Sequence, residues 1–383
     1  MLKPVIRKAF LIGLILCSYN AAAQMTFTDL AKISRMNQGV WGLRSMQDGE
    51  HYTVSSRGAI IRHSYADATL CDTIYKGRFA SYQFSPNEDM IILGNNSRPI
   101  YRHSAYVDYD IVKVADGSVI TSLRDVRDLT LSPDSKLVAF AKENNLYVGE
   151  LGKESVAITT DGKWNHIING TADWVYEEEL GFTQGYAFSP DSKKIAYMRF
   201  DESQVPLFEM MKFDGTLYNK PYTFKYPKAG EANSIVELWV ADLTTGQKRK
   251  IDTGRETDQY IPRLGYTPDG RLWYYRLNRR QNIFEMVVCE HSGAQHVAYE
   301  ERARQYVERV DDKTITFIDK NRFIVRQESH TGYMHLYLYT IRGGLQGPIT
   351  RGEWEVTDIV GTDGKRVWYL STESSPLQRT LYS

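Results

Sequence analysis

One short string returns along the chain and constrains its fold more than any other feature. It reads as an aromatic or aliphatic residue, Ser or Thr, Pro, then Asp or Asn, with an alternating apolar segment behind it. It stands as "FSPNEDMIIL" from Phe84, "LSPDSKLVAF" from Leu131, "FSPDSKKIAY" from Phe188 and "YTPDGRLWYY" from Tyr266. Weaker relatives are "MQDGEHYTV" from Met46, "VDDKTITFI" from Val310 and "GTDGKRVWYL" from Gly361. Proline presets a turn, Asp with Ser or Gly closes it, and the residues that follow alternate as a half-buried strand. The markers are roughly 40 to 60 residues apart, with a longer gap between Asp191 and Asp269, which is the period of a four-stranded blade.

Such a period predicts an all-β chain, and within that class a β-propeller. Two stacked sandwiches would not explain why one turn string recurs at blade spacing. Seven markers imply seven or eight blades. The WD signature is missing, so the propeller is of another kind. With 26 Tyr and 7 Trp the chain carries the aromatic load that strands favour. The only convincing helix is short, at "FTDLAKI" (Phe27 to Ile33), with Thr28 as its N-cap.

The first residues read as an export signal. Lys3, Arg7 and Lys8 precede the apolar "AFLIGLILC", and "AAAQ" offers cleavage after Ala23. Residues 1–23 are then a signal peptide, 24–45 an N-terminal segment and 46–383 the propeller. Leu16 before Cys17 is a poor residue for lipoprotein processing. No later segment is apolar enough to span a membrane, so the mature chain is expected in the periplasm or outside the cell. Lys plus Arg equals Asp plus Glu at 47 each, which gives no support for nucleic-acid binding or polybasic membrane attachment. Without CxxC, HExxH or His-x-His spacing, no metal or other cofactor is implied. Cys71 and Cys289 are expected as buried free thiols, although an exported chain could pair them.

The segment "DWVYEEELGF" (Asp173 to Phe182) sets three glutamates behind a tryptophan and a tyrosine. Taken alone, an acidic triplet is more often a solvated turn than a site, and a lone arginine such as Arg102 is more often a surface ion-pair partner. Crowded carboxylates nevertheless raise one another's pKa unless a cation relieves them. Two that converge can neutralise a peptide's free ammonium and accept its hydrogen bonds.

The chain resembles the propeller region of the dipeptidyl peptidase IV family of prolyl oligopeptidase-like serine peptidases. The residues that carry the resemblance are "YRHSAYVDYDI" from Tyr101, "DWVYEEE" from Asp173, "RFDESQVPLFEM" from Arg199, "YPKAG" from Tyr226 and "GEWEV" from Gly352. The family implies an eight-bladed propeller stacked on an α/β-hydrolase domain that releases Xaa-Pro or Xaa-Ala dipeptides from free N-termini. By position in the motifs, Glu178 and Glu179 would hold the peptide's α-ammonium and Arg102 its carbonyl oxygen, with Asp173, Trp174, Tyr176 and Glu177 in support. The segment from Gln204 to Gly230 would be the arm used in homodimer contacts.

A serine peptidase needs a nucleophile elbow, a histidine and an acid. No G-x-S-x-G occurs; the nearest string, "GFTQG" from Gly181, puts Thr183 at the serine position and reads as coincidence. The sequence ends near the expected close of the last blade, so the hydrolase domain and its triad are missing and no hydrolysis by this chain alone is expected. The functional expectation is therefore the substrate-gating, N-terminus-anchoring propeller of such a peptidase, completed by a hydrolase domain if one is encoded. The alternative is a non-catalytic propeller that binds peptides or proteins.

Overall fold

The computed structural model describes residues 26–36, 42–213, 215–308 and 310–383. Residues 1–23, expected as an export signal, lie outside the described residues. The chain divides into two compact units, Met1–Gly77 and Arg78–Ser383. In the first, a four-stranded antiparallel sheet runs in chain order through Arg44–Ser45, His51–Ser56, Ala59–Ser64 and Leu70–Lys76. The same unit carries a helix over Phe27–Met36. Its N-cap is Thr26, not Thr28: the Thr26 hydroxyl accepts from the Asp29 N–H at 3.2 Å, and Asp29 returns the bond to the Thr26 N–H at 3.1 Å. This reciprocal pair begins two residues before the one expected, because the helix needs its acceptor outside the first turn.

The second unit is a succession of antiparallel meanders. A seven-stranded sheet covers residues 81–157, and further sheets follow within 167–251, 259–302, 315–348 and 356–382. Neighbouring sheets touch, as strand Tyr186–Phe188 does with strand Leu264–Tyr266. The strand Val119–Leu131 serves two blade-like groups. Its first half pairs with Ala105–Lys113 and its second with Leu137–Lys142. Left-handed backbone at Asp125 (φ 61°) and Asp128 (φ 51°) marks the change of direction. The largest core cluster runs from Ile168 to Ile341 and includes the fully buried Tyr176, Phe200, Tyr274, Tyr275, Phe284 and Phe323.

The four strong markers are hairpin turns with one construction. In each, a buried hydroxyl accepts the N–H that opens the next strand. Ser85 accepts from Met90 (3.0 Å), Ser132 from Leu137 (2.9 Å), Ser189 from Lys194 (2.9 Å) and Thr267 from Arg271 (3.0 Å). Each hydroxyl donates in turn to the acceptor two residues on: Asn87, Asp134, Asp191 or Asp269. The next residue is left-handed in every copy, at Glu88, Ser135, Ser192 and Gly270. The markers at Met46 and Gly361 also sit on hairpin turns, where Asp48 accepts the N–H of His51 at the start of the following strand and Asp363 that of Arg366 just before it. The marker at Val310 does not. Its hairpin turn lies later, at Asp319, which accepts from Asn321 and Arg322 between strands Ile315–Phe317 and Arg322–Gln327. Asp311 closes only a local turn with Thr314.

Cys289 is buried and Cys71 exposed, and both are free. The expected burial of Cys71 is therefore corrected, because it occupies the outermost strand of its sheet, where most residues face water.

The shared hydroxyl is open to a direct test. Ser132→Ala leaves the Leu137 N–H without its acceptor and is expected to cost about 2 kcal/mol, read as a lower urea midpoint at unchanged m. Ser132→Thr should be close to neutral, since Thr267 does the same work in the fourth copy.

Candidate functional site

The acidic string folds as a helix, Trp174–Leu180, which periodicity over so short a span did not predict. Its ends are satisfied by tertiary partners. Asp173 is the N-cap: one carboxylate oxygen accepts from the Tyr176 N–H at 2.9 Å, the other from the Ser234 hydroxyl at 2.5 Å. Gly181 closes the other end in the left-handed conformation (φ 70°), and Arg263 donates Nη1–H to the Leu180 carbonyl at 2.9 Å. A helix of two turns is marginal alone. Asp173 ahead of it and Gly181 behind it were the sequence signals that could have found it.

On a helix, successive side chains point about 100° apart, so three adjacent glutamates cannot share one environment. Glu177 points inward and is fully buried. Its Oε1 accepts from the backbone N–H groups of His103 (2.7 Å) and Ser104 (2.9 Å). Glu178 is half-buried and accepts from Arg102 Nε at 2.8 Å. Glu179 is exposed and has no hydrogen-bond or ion-pair partner among the described residues. The structure thus brings Arg102 to Glu178, and Glu177 holds the loop that carries Arg102. Sequence reasoning did not find that clamp, because nothing local distinguishes Glu177 from its neighbours.

The aromatics around the helix divide the same way. Tyr176 is buried against Phe182, Phe200 and Tyr260, and its hydroxyl accepts from the Ile261 N–H at 2.9 Å. Trp174 faces the other side, 3.9 Å between ring centroids from Tyr226 of the "YPKAG" segment. There it meets the base of a separate hairpin, Leu207–Lys212 with Lys220–Lys225. Phe224 of that hairpin lies 5.4 Å from the Tyr101 ring, next to Arg102. Thr183 forms no nucleophile elbow: its hydroxyl donates to Asp128 at 2.6 Å, and its carbonyl pairs with the Ala172 N–H.

One carboxyl group near the helix, that of Glu202, was not singled out from sequence, and the charge of Asp173 acts on it. Glu202 and Asp173 are both buried, and burial raises both pKa values. Glu202 is pushed up to about 8, by desolvation first and then by the charge of Asp173, while Lys225 pulls it back. Lys225 is itself held by the carbonyls of Val205 (2.6 Å) and Ser203 (3.2 Å).

Comparisons with known proteins identify the family. The family model described as the dipeptidyl peptidase IV (DPP IV) N-terminal region matches residues 85–383. A probable dipeptidyl peptidase 4 of Aspergillus flavus is 27% identical over 92% of this chain and 49% of its own length. The inactive dipeptidyl peptidase 10 of Mus musculus is 29% identical over 84% of this chain and 43% of its own. The crystal structure of Porphyromonas gingivalis dipeptidyl peptidase 4 matches with a TM-score of 0.85 at 33% identity, over 94% of this chain and 54% of that one. The chain spans about half the length of the curated relatives it matches.

The raised Glu202 makes a pH prediction. Between its ordinary pKa of 4.5 and about 8 the unfolded chain loses this proton while the folded chain keeps it. Folding stability therefore falls as pH rises through that window, by an amount on the order of a few kcal/mol. Glu202→Gln cannot ionise, so its urea midpoint should change less than that of the wild type between pH 5 and 8, and exceed it at pH 8. Parallel curves for the two proteins would mean that Glu202 titrates normally.

Proposed function

Because the chain belongs to the dipeptidyl peptidase IV family, we propose that its β-propeller anchors the free amino end of a peptide for a serine exopeptidase that releases Xaa-Pro and Xaa-Ala dipeptides. The observation that carries this reading is the pairing of a half-buried, arginine-held Glu178 with an uncompensated Glu179 on a helix tied at both ends. An α-ammonium carries three donors and one positive charge. Glu179 supplies the missing countercharge, and Glu178 has acceptor capacity left beside Arg102. Arg102, largely solvent-facing beyond that contact, is free to donate its remaining N–H groups to a peptide carbonyl. A clamp on the amino end also measures length, since the bond to be cut lies a set two residues further on.

The nucleophile, histidine and acid are proposed to belong to an α/β-hydrolase domain outside this sequence. Lys3, Arg7, Lys8 and the apolar run behind them support export to the periplasm or cell exterior. The hairpin exposes Met210, Met211, Phe213, Leu217 and Tyr218, which supports the arm as a homodimer contact. A second reading, a non-catalytic peptide-binding propeller, is favoured by the likeness to the proteins named inactive dipeptidyl peptidase 10. Coding sequence beyond Ser383 separates the two: an in-frame hydrolase domain with a serine elbow supports the peptidase, a stop codon the binder.

The anchoring site itself is tested by fluorescence anisotropy with a labelled Ala-Pro-Ala-Ala-Lys peptide. A hydrogen bond to a charged group contributes about 1.5–3 kcal/mol. Glu178→Gln or Glu179→Gln should therefore weaken binding about 10- to 100-fold. N-acetylation of the peptide should have a similar effect on the wild-type protein. Equal affinity for free and acetylated peptides would rule the clamp out.

A further inference from the structure

A buried guanidinium beneath the clamp has no part in the reading above. Arg127 lies in the strand Val119–Leu131 and is 4% exposed. Its Nε and Nη2 have no hydrogen-bond partner among the described residues. Asp128 Oδ2 stands 3.7 Å from Nε, beyond hydrogen-bond length, and is also buried without a partner. Glu177 supplies a second such oxygen: Oε1 holds the His103 and Ser104 amides, while Oε2 is buried and unpaired. The Ser104 hydroxyl is a fourth group of this kind.

These groups are neighbours: Val107 pairs with Val126, which brings Arg127 beside the start of the strand that follows Ser104, and Glu177 holds the Ser104 N–H. Burial raises the Asp128 pKa, the charge of Arg127 lowers it and that of Glu177 raises it again. Arg127 and Glu177 also both act on the Tyr222 hydroxyl. The strand is built to aim Arg127 inward. Its pairing with Leu137–Lys142 shifts register between Arg127 and Thr130, and Asp125 and Asp128 on either side are left-handed; such bulges re-aim a side chain.

Arginine cannot shed its proton at accessible pH, and a buried charge left unpaired is strongly unfavourable. Buried donors and acceptors that lack direct partners are complementary through water, which bridges buried polar groups of this kind. The local charge, one cation against Glu177 and Asp128, leaves no reason for an added anion.

We infer that Arg127 is a positioning residue: through buried water it bridges Glu177 and Asp128, and so holds the His103–Ser104 amides and the Arg102 loop in place. The effect on peptide binding rests on the proposed amine clamp; the effect on the loop does not. Without Arg127, two buried carboxylates face each other with no cation between them. Glu177 then turns toward water and releases the two amides.

The experiment is amide hydrogen exchange in the full chain, paired with anisotropy using the labelled Ala-Pro-Ala-Ala-Lys peptide. In Arg127→Met the His103 and Ser104 amides should exchange at least about tenfold faster, while the Leu137 amide, bonded to Ser132 in an adjoining turn, keeps its rate. Peptide affinity should fall about tenfold, and Arg127→Lys should recover most of both losses. In a Glu177→Gln background, where the side chain on the two amides carries no charge, Arg127→Met should add little to their exchange, because the two residues act on those amides as one unit. Unchanged protection of His103 and Ser104 in Arg127→Met overturns the inference, as does full additivity with Glu177→Gln. If Arg127→Met does not fold, Arg127→Gln carries the same comparison. Should Glu178→Gln and Glu179→Gln leave binding intact, the clamp fails while the exchange rates still decide the role of Arg127.

Discussion

Two backbone N–H groups, those of His103 and Ser104, converge on one buried oxygen of Glu177, and the candidate site is organised around that contact. It joins a loop of one sheet to a helix in the segment before another. The loop carries Arg102, and the next residue on the helix is Glu178, so one buried carboxylate sets the relative position of both. A fully buried charge is unfavourable unless its hydrogen bonds are made. That makes the contact sharply sensitive to its surroundings, and it explains why so many ties surround so short a helix. Asp173 holds its start and Arg263 its end, while Tyr176 anchors its middle to the Ile261 amide.

The scaffold beneath repeats a smaller device. Each strong turn buries one Ser or Thr hydroxyl that accepts from the next strand and donates to an Asp or Asn. Consecutive turns touch as well: the Asp134 N–H donates to the Ser192 hydroxyl at 3.2 Å. A local rule, repeated, therefore also contributes to the packing of one sheet beside the next. Long loops and a short helix can then leave the sheets at one place without loosening them, and that is where the acidic helix and the aromatic hairpin base meet.

The all-β class was legible because turn chemistry is local: Pro and Asp act on their own backbone wherever they stand. The same logic misled at Val310, where "VDDK" forms a turn but the hairpin closes eight residues later at Asp319. It also placed the first helix cap at Thr28 rather than Thr26, a small shift that only the bonding pattern resolves. Glu178, Glu179 and Arg102 were nameable through their motifs. Arg127, Asp128 and Glu202 were not, since a charged residue in or beside a strand looks the same in sequence whether it faces water or the interior.

Sequence alone determined the repeat, its turns and the acidic string, because each depends on residues within a few positions of one another. Tertiary structure alone decided what each glutamate of that string does. A helix turns its side chains about 100° per residue, so adjacent residues of one kind are sent in different directions. What they meet there comes from distant segments: the amides of His103 and Ser104 for Glu177, Arg102 for Glu178, and solvent for Glu179.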